Sequence, residues 1–144
     1  MRRKEYSCQL CNFVNKKIKD KQRLYEDDKT YVMLDNYPIS RGHALVIPKN
    51  HVADITQLNT REGEHLGRLV AKVSKALRDS LDAKRVYVVR LAEDVMHFNF
   101  ELIPVYKEDA DRKGFCTFLG PRRKLENPQE IVMPVRQYLN YLEF

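Results

Sequence analysis

The strongest periodic pattern in the chain is an apolar stripe between about Thr60 and Asp82. Its members recur at three- and four-residue steps, so they fall on one face of an α-helix. Asn59 is a suitable N-cap for this helix, and Glu62 occupies the reciprocal position of a capping box. The stripe consists of Leu66, Leu69, Val70, Val73, Leu77 and Leu81. We therefore predict one long helix that packs this stripe on a sheet.

Shorter segments with alternating or β-branched residues predict the strands of that sheet. They are bounded by turn residues, such as the acidic turn 27–29 and Pro48, which cannot donate to a central ladder. The predicted strands are 22–27, 30–35, 43–48, 86–91 and 96–104, the last two joined by the tight connection 92–94. A closing helix is predicted over 129–142. The expected fold class is α+β, an antiparallel β-sheet with one long helix and one C-terminal helix.

The composition is that of a soluble globular protein. With 144 residues, of which 43% are hydrophobic and 32% charged, the chain suits one domain over 1–144. No apolar run approaches the ~20 residues that span a bilayer. The basic N-terminus is not followed by the apolar core of a secretory signal, and three cysteines do not make an even disulfide framework. We expect no membrane association and a cytoplasmic location.

The net charge of +6 raises the question of a polyanionic partner. Basic residues cluster at 16–21 and 122–124, but no aromatic residues that could stack on bases are interleaved with them. Nucleic-acid binding is therefore retained only as an alternative.

The segment 96–104 carries the most informative polar pattern. Alternation along the predicted strand places His97, Asn99 and Glu101 on one face. The opposite face receives Phe98, Phe100 and Leu102. Three polar side chains therefore converge on one surface of the sheet.

The Cys-x-x-Cys pair formed by Cys8 and Cys11 indicates a metal site more strongly because two histidines could complete the ligand set. His51 follows the strand 43–48 and His97 lies on the strand 96–104, so two sulfurs and two imidazoles are available for tetrahedral zinc. Four protein ligands leave no position for a substrate water, which would make such a zinc structural. The alternative is a pair of free thiols with histidines that only satisfy polar edges. A thioredoxin-like redox role lacks the strand that should precede the pair.

These motifs resemble the histidine-triad (HIT) family of nucleotide hydrolases and transferases, over about residues 6 to 106. The resemblance implies zinc held by Cys8, Cys11, His51 and His97, with 1–15 as a zinc knuckle and helical turn. It also implies a two-fold homodimer. Residues 107–144 lie beyond the resemblance and are expected to form a C-terminal extension with a helix.

The catalytic strand departs from the family pattern His-x-His-x-His. In the family the middle histidine attacks the α-phosphorus of a nucleotide, and Asn99 stands at that position here. A carboxamide nitrogen is delocalised and cannot act as that nucleophile. Glu101 replaces the third histidine, and the span 91–96 is short, acidic and without the glycines of the family's phosphate loop. Covalent nucleotidyl transfer is therefore not expected.

The nucleoside side of the family pocket is retained. The resemblance implies that Asp35 binds ribose hydroxyls, that Leu10 and Met33 sandwich the base, and that His43 supports the triad. From the residues alone, Asp35 is equally a turn residue that accepts from its own backbone, and His43 caps the start of a strand.

The expected function is a zinc-stabilised HIT-like protein that binds a nucleotide or a related phosphate metabolite. The alternative is a hydrolase of nucleotide phosphoanhydrides or phosphoramidates in which Glu101 activates water directly. Two further side chains are expected to play no part. His65 on the long helix is expected to be solvated, and Cys116 to be a small buried hydrophobe.

Overall fold

A five-stranded antiparallel sheet is the centre of the molecule, in a computed structural model that describes residues 8–15, 21–91, 96–110 and 122–142. The strand order is β1-β2-β3-β5-β4, so the last two strands exchange places along the sheet. The strands are β1 (Arg23–Glu26), β2 (Thr30–Leu34), β3 (Ala44–Pro48), β4 (Arg85–Val89) and β5 (Phe100–Val105). With the helices below, this architecture confirms the predicted α+β class.

The described helices are α1 (Gln9–Asn15), α2 (Thr60–Leu81), α3 (Lys107–Ala110) and α4 (Gln129–Tyr141). The long helix α2 begins at the predicted capping box. Asn59 Oδ1 accepts from the Glu62 N–H at 3.0 Å, and Glu62 Oε2 accepts from the Asn59 N–H at 2.9 Å. Asp82 ends the helix in the left-handed conformation, with φ of 57°. No helix among these residues is both long and apolar enough to cross a membrane.

The main core lies between α2 and one face of the sheet. The predicted stripe is buried there, except for Val70, which is only partly buried. Ala76 joins the buried side of α2, and the C-terminal helix α4 closes the same core with Ile131, Val132, Val135 and Leu139. The C-terminal segment therefore packs on α2 and β1 as part of one core.

A second, smaller core lies on the opposite face of the sheet, beneath α1. Alternation along β2 sends Val32 and Leu34 to the α2 side and Tyr31 and Met33 to the α1 side. Leu10 of α1, with Ile47 of β3, completes this second cluster. Strand β2 is thus covered on both faces, which explains why all of its residues are buried.

The predicted strand 96–104 begins four residues too early. The backbone N–H of Phe98 donates to the carbonyl of Val52 at 2.6 Å, so the chain there follows the loop after β3. Pairing with β3 is established only at Phe100, opposite Val46. The predicted faces survive, since Phe98 and Leu102 are buried in the α2-side core.

Several predictions fall outside the described residues. These are the first seven residues of the knuckle, the basic residues 16–20, the connection 92–94, Cys116 and much of the extension 107–144. The predicted strand 86–91 corresponds to Arg85–Val89, and the other three strands agree with prediction within one residue at each end.

Candidate functional site

The four predicted metal ligands come together in the structure, with their ligand atoms within 4.8 Å of one another. The Nδ1 atom of His97 lies 3.4 Å from Cys8 Sγ and 3.3 Å from Cys11 Sγ. Cys11 Sγ also lies 3.2 Å from His51 Nδ1. The start of α1, the loop after β3 and the segment before β5 each supply part of this group, so distant parts of the chain build it.

The tautomer of His97 suits a metal ligand. Its Nε2 lies 2.7 Å from the carbonyl oxygen of Pro48. Since a carbonyl only accepts, Nε2 carries the proton and Nδ1 keeps its lone pair towards the two sulfurs. Burial lowers the pKa of His97, and the nearby His51 and Arg90 lower it further against the opposing contact with Pro48. The ring is therefore held neutral, as metal ligation requires.

The donor set fits the dimensions of a zinc site. Tetrahedral bonds of ~2.3 Å to sulfur and ~2.0 Å to nitrogen imply donor separations of roughly 3.3–3.8 Å. The sulfur–nitrogen separations given above, from 3.2 to 3.4 Å, lie close to that range. Burial, together with the neighbouring Cys8, raises the pKa of Cys11 to about 11. A bound cation would relieve this by stabilising the thiolate.

A second polar cluster is formed by Asp35, His43 and Glu101, of which His43 and Glu101 are buried and Asp35 is partly buried. The Nε2 atom of His43 lies 3.2 Å from Glu101 Oε1 and 3.9 Å from Asp35 Oδ2. His43 Nδ1 accepts the Ile39 N–H at 3.1 Å, so the proton of the neutral ring is on Nε2. The nitrogen that faces the carboxylates is therefore a donor. The trio brings this N–H group within ion-pair distance of two carboxylates, whereas a metal would need the Nε2 lone pair.

Glu101 is an ionised carboxylate in a buried position. Burial raises its pKa, but the contact with His43, the Leu91 N–H at 2.9 Å and the charge of Arg122 together bring the pKa below its ordinary value. Negative charge is thus stabilised at the position where the family has its third histidine. The site presents a carboxylate instead of an imidazole.

Asn99 lies buried between His97 and Glu101 in the chain. Its Nδ2 donates to the carbonyl of His97 at 3.1 Å. Its Oδ1 has no hydrogen-bond partner among the residues that the structure describes. The amide is held by its neighbour's backbone and offers one acceptor atom, but no nucleophile.

Asp35 has the turn role that its sequence context allowed. Its Oδ1 accepts the Tyr37 N–H at 2.7 Å, which confirms the turn interpretation. Its Oδ2 is the atom that faces His43, and the side chain is partly exposed. One carboxylate oxygen is therefore used by the backbone, and the other lies beside the polar cluster.

Leu10 and Met33 do not form an open surface. They are 8% and 2% exposed and belong to the cluster under α1. With α1 in this position, both side chains act as core. Contact with a base would require α1 to move away from the sheet.

The sequence interpretation of His65 was wrong. Its Nε2 lies 2.8 Å from Asp27 Oδ2 and ties α2 to the turn between β1 and β2. The two residues are 38 positions apart, so no local pattern announces the pair. The sequence placed Arg122 only in the basic cluster 122–124, because its effect on Glu101 arises through the fold.

Comparison with known proteins identifies the fold family. Residues 16–108 match the family model of the HIT domain. The chain belongs to the HIT family. It is 29% identical over 128 residues to an uncharacterized HIT-like protein of Borreliella burgdorferi, covering 84% of this chain and 88% of that protein. It is 35% identical over 104 residues to adenosine 5'-monophosphoramidase of Schizosaccharomyces pombe, covering 72% of this chain and 77% of the relative.

Solved HIT structures agree with this membership. A zinc-bound histidine triad family protein from Mycobacterium smegmatis superposes with a TM-score of 0.77 at 25% identity, covering 94% of each chain. A hypothetical histidine triad nucleotide-binding protein from Sulfolobus tokodaii gives 0.78 at 25% identity, covering 93% of each chain. The family predicted from the motifs is therefore confirmed.

Proposed function

We propose that this HIT protein binds a nucleotide or a related phosphate metabolite at the Asp35–His43–Glu101 cluster and does not carry out covalent nucleotidyl transfer. The observation that carries the proposal is the geometry of that cluster, in which a protonated Nε2 lies between two carboxylates. The relatives support a nucleotide as ligand, since one is an adenosine 5'-monophosphoramidase and one is named as nucleotide-binding.

The carboxylate of Asp35 suits a ribose. Its Oδ1 accepts from Tyr37, but the side chain is partly exposed and Oδ2 can accept from a hydroxyl group. Hydrogen bonds to a charged acceptor are stronger than neutral ones, so a vicinal diol is a favourable partner. We assign Asp35 the role of ribose recognition and His43 the role of orienting the two carboxylates.

The phosphate end of the ligand needs positive charge to offset Glu101. Arg122 helps to lower the pKa of Glu101, so its guanidinium group acts within electrostatic range of the cluster. Arg90 helps to lower the pKa of His97, which lies two residues before Asn99. Arginine forms bidentate contacts with phosphate oxygens. We propose that these two residues take the place of the family's phosphate loop.

Asn99 argues against the family's covalent step, since an amide cannot form a nucleotidyl intermediate. Direct hydrolysis with Glu101 as base is the second candidate. Its lowered pKa makes Glu101 a weak base at neutral pH, because general bases work best with a pKa near the working pH. A binding role is therefore the better supported of the two.

Zinc completes the proposal as a structural ion. Cys8, Cys11, His51 and His97 would hold it, and the ion would fix α1 to the loop after β3 and the segment before β5. We also propose one domain over 1–144, a homodimer and a cytoplasmic location, in line with the family resemblance.

The test is a calorimetric titration with AMP and with 2',3'-dideoxy-AMP. AMP should bind at least about tenfold more tightly, since the hydroxyls provide hydrogen bonds to a charged group worth roughly 1.5–3 kcal/mol. Asp35→Asn keeps an acceptor for Tyr37 but loses the charge, and should abolish this preference. Asp28→Asn, an exposed change of equal charge in the β1–β2 turn, is the matched control.

Equal binding of the two nucleotides by the wild-type protein would contradict ribose recognition by Asp35. A parallel assay of adenosine 5'-phosphoramidate cleavage addresses the second candidate. Turnover by the wild-type protein that is lost in Glu101→Gln would favour the hydrolase over the binding module.

A further inference from the structure

A cavity of about 270 Å³ lies on the α2 side of the sheet. It is between the first turns of α2 and the end of the β2–β3 hairpin that is remote from its connecting loop. Thr30 and Pro48, which pair with each other where β2 begins and β3 ends, line it. Asn50, Arg61 and His65 stand around it, together with Lys29 from the β1–β2 turn.

This cavity is separate from the Asp35 cluster. Thr30 begins β2 and Asp35 follows its last residue, so the two sites lie at opposite ends of one strand. At a rise of ~3.3 Å per residue they are roughly 16 Å apart. A ligand in one site would not reach the other.

A buried hydroxyl group inside the cavity has no partner. Thr30 is 1% exposed, and its Oγ1 makes no hydrogen bond to any residue in the described ranges. Alternation along β2 places its side chain on the same face as Val32 and Leu34, which is the α2 face where the cavity opens. A buried hydroxyl without a partner costs stability, so a hydrogen bond from this hydroxyl to a ligand would be favourable.

The charges around the cavity favour an anion. Lys29 and Arg61 are exposed, and neither forms an ion pair within the described part of the chain. Glu62 also lines the cavity, but both of its carboxylate oxygens already have donors. Its Oε2 accepts from the Asn59 N–H in the capping box, and its Oε1 lies 3.4 Å from Asn50 Nδ2. The positive end of the α2 dipole adds to the cationic side chains.

We propose that this cavity binds a small anion with a phosphate or carboxylate group. The Thr30 hydroxyl donates to an oxygen of the anion, and Arg61 and Lys29 supply the opposite charge. The cavity is smaller than the ~300–1,000 Å³ of sites for drug-sized ligands. The ligand is therefore smaller than a nucleotide and differs from the one proposed for the Asp35 cluster.

The test is a titration of the full chain with inorganic phosphate and with malonate at constant ionic strength, followed by backbone amide shifts, with chloride as reference. Shifts should concentrate at Lys29, Thr30 and residues 59–62. Affinity should fall about fivefold to tenfold in Thr30→Val and in Arg61→Gln. Arg68→Gln removes the same charge two turns along α2 and should leave the affinity unchanged.

Thr30→Val also guards against a folding artefact. Because Oγ1 has no protein partner, this variant should melt no lower than the wild type when no anion is added. Saturation by phosphate alone would indicate a phosphate ester, and saturation by malonate alone a carboxylate. Binding of neither, or affinities unchanged in Thr30→Val and Arg61→Gln, would overturn the proposal. Asp35→Asn should leave this binding intact, which separates the result from the nucleotide site.

Discussion

The Nε2 atom of His97 donates a 2.7 Å hydrogen bond to the carbonyl oxygen of Pro48. This contact fixes the ring so that Nδ1 faces Cys8 and Cys11. Pro48 ends β3, so the last residue of a central strand orients a ligand of the candidate metal centre. Such outer contacts are a usual feature of metal-ligating histidines.

Loss of Cys11 should remove the metal. Elemental analysis of the wild-type protein should find about one zinc per chain. Cys11→Ser should reduce this strongly and lower the melting temperature, because the proposed ion would link α1 to the loop after β3 and the segment before β5. Cys116→Ser is the control, since the four ligands predicted from the sequence do not include Cys116. Equal zinc loss in both variants would mean that the ligand set is wrong.

Glu101→Gln should destabilise the protein in a pH-dependent way. The pKa of Glu101 is lowered in the folded state, so its charge stabilises the fold above the unfolded pKa of ~4.3 and ceases to do so as the pH falls through the folded pKa. We expect a cost of about 1–2 kcal/mol at pH 7 by urea unfolding. The cost should shrink below about pH 4. The exposed Glu126→Gln serves as control, and a difference that grows on acidification would contradict the assignment.

Asp27 should contribute more to the stability of the fold than its position in a turn suggests. Its Oδ1 accepts the N–H groups of Lys29 and Thr30, and its Oδ2 contacts His65. Burial raises its pKa, but these contacts outweigh burial and lower it. Asp27→Ala should cost about 1–3 kcal/mol at pH 7, and Asp27→Asn less, because the amide retains an acceptor.

The stabilisation by Asp27 is present above its unfolded pKa of ~3.9 and is lost as the pH falls through the lower folded value. Chemical denaturation at pH 7 and near pH 3 measures this. Asp28→Ala, the exposed neighbour, should change stability by less than about 0.5 kcal/mol. Equal effects of the two substitutions would show that the Asp27 contacts contribute nothing.

Two glycine-to-alanine substitutions should change the stability of the protein in opposite directions. Gly42 has φ of 85°, and an added Cβ would lie 2.5 Å from Leu81 Cδ1 and 3.3 Å from Pro104 Cγ. Gly42→Ala should therefore cost at least about 1 kcal/mol. Gly67 lies within α2 with open space around it, so Gly67→Ala should stabilise by about 0.5–1 kcal/mol. The melting temperatures of both variants measure these changes. A Gly42→Ala protein with the melting temperature of the wild type would contradict the predicted cost.

Local signals predicted α2 almost residue by residue. Its stripe and its capping box depend on residues three or four positions apart, and these interactions form within the helix itself. The strand 96–104 was less well predicted. Its alternation correctly separated Phe98 and Leu102 from the polar face, but its start depended on a hydrogen bond to Val52, 46 positions earlier.

For the functional site, the sequence by itself determined the chemistry: two thiols and two imidazoles for a metal, and an amide and a carboxylate where nucleotidyl transfer needs histidines. The tertiary structure decided which atoms meet. It paired His65 with Asp27, buried Leu10 of α1 in one cluster with Met33, and left the Thr30 hydroxyl in a cavity. The reason is physical: residue type sets the available donors and acceptors, whereas contacts between distant segments and the burial that shifts a pKa arise only when the sheet and helices pack together.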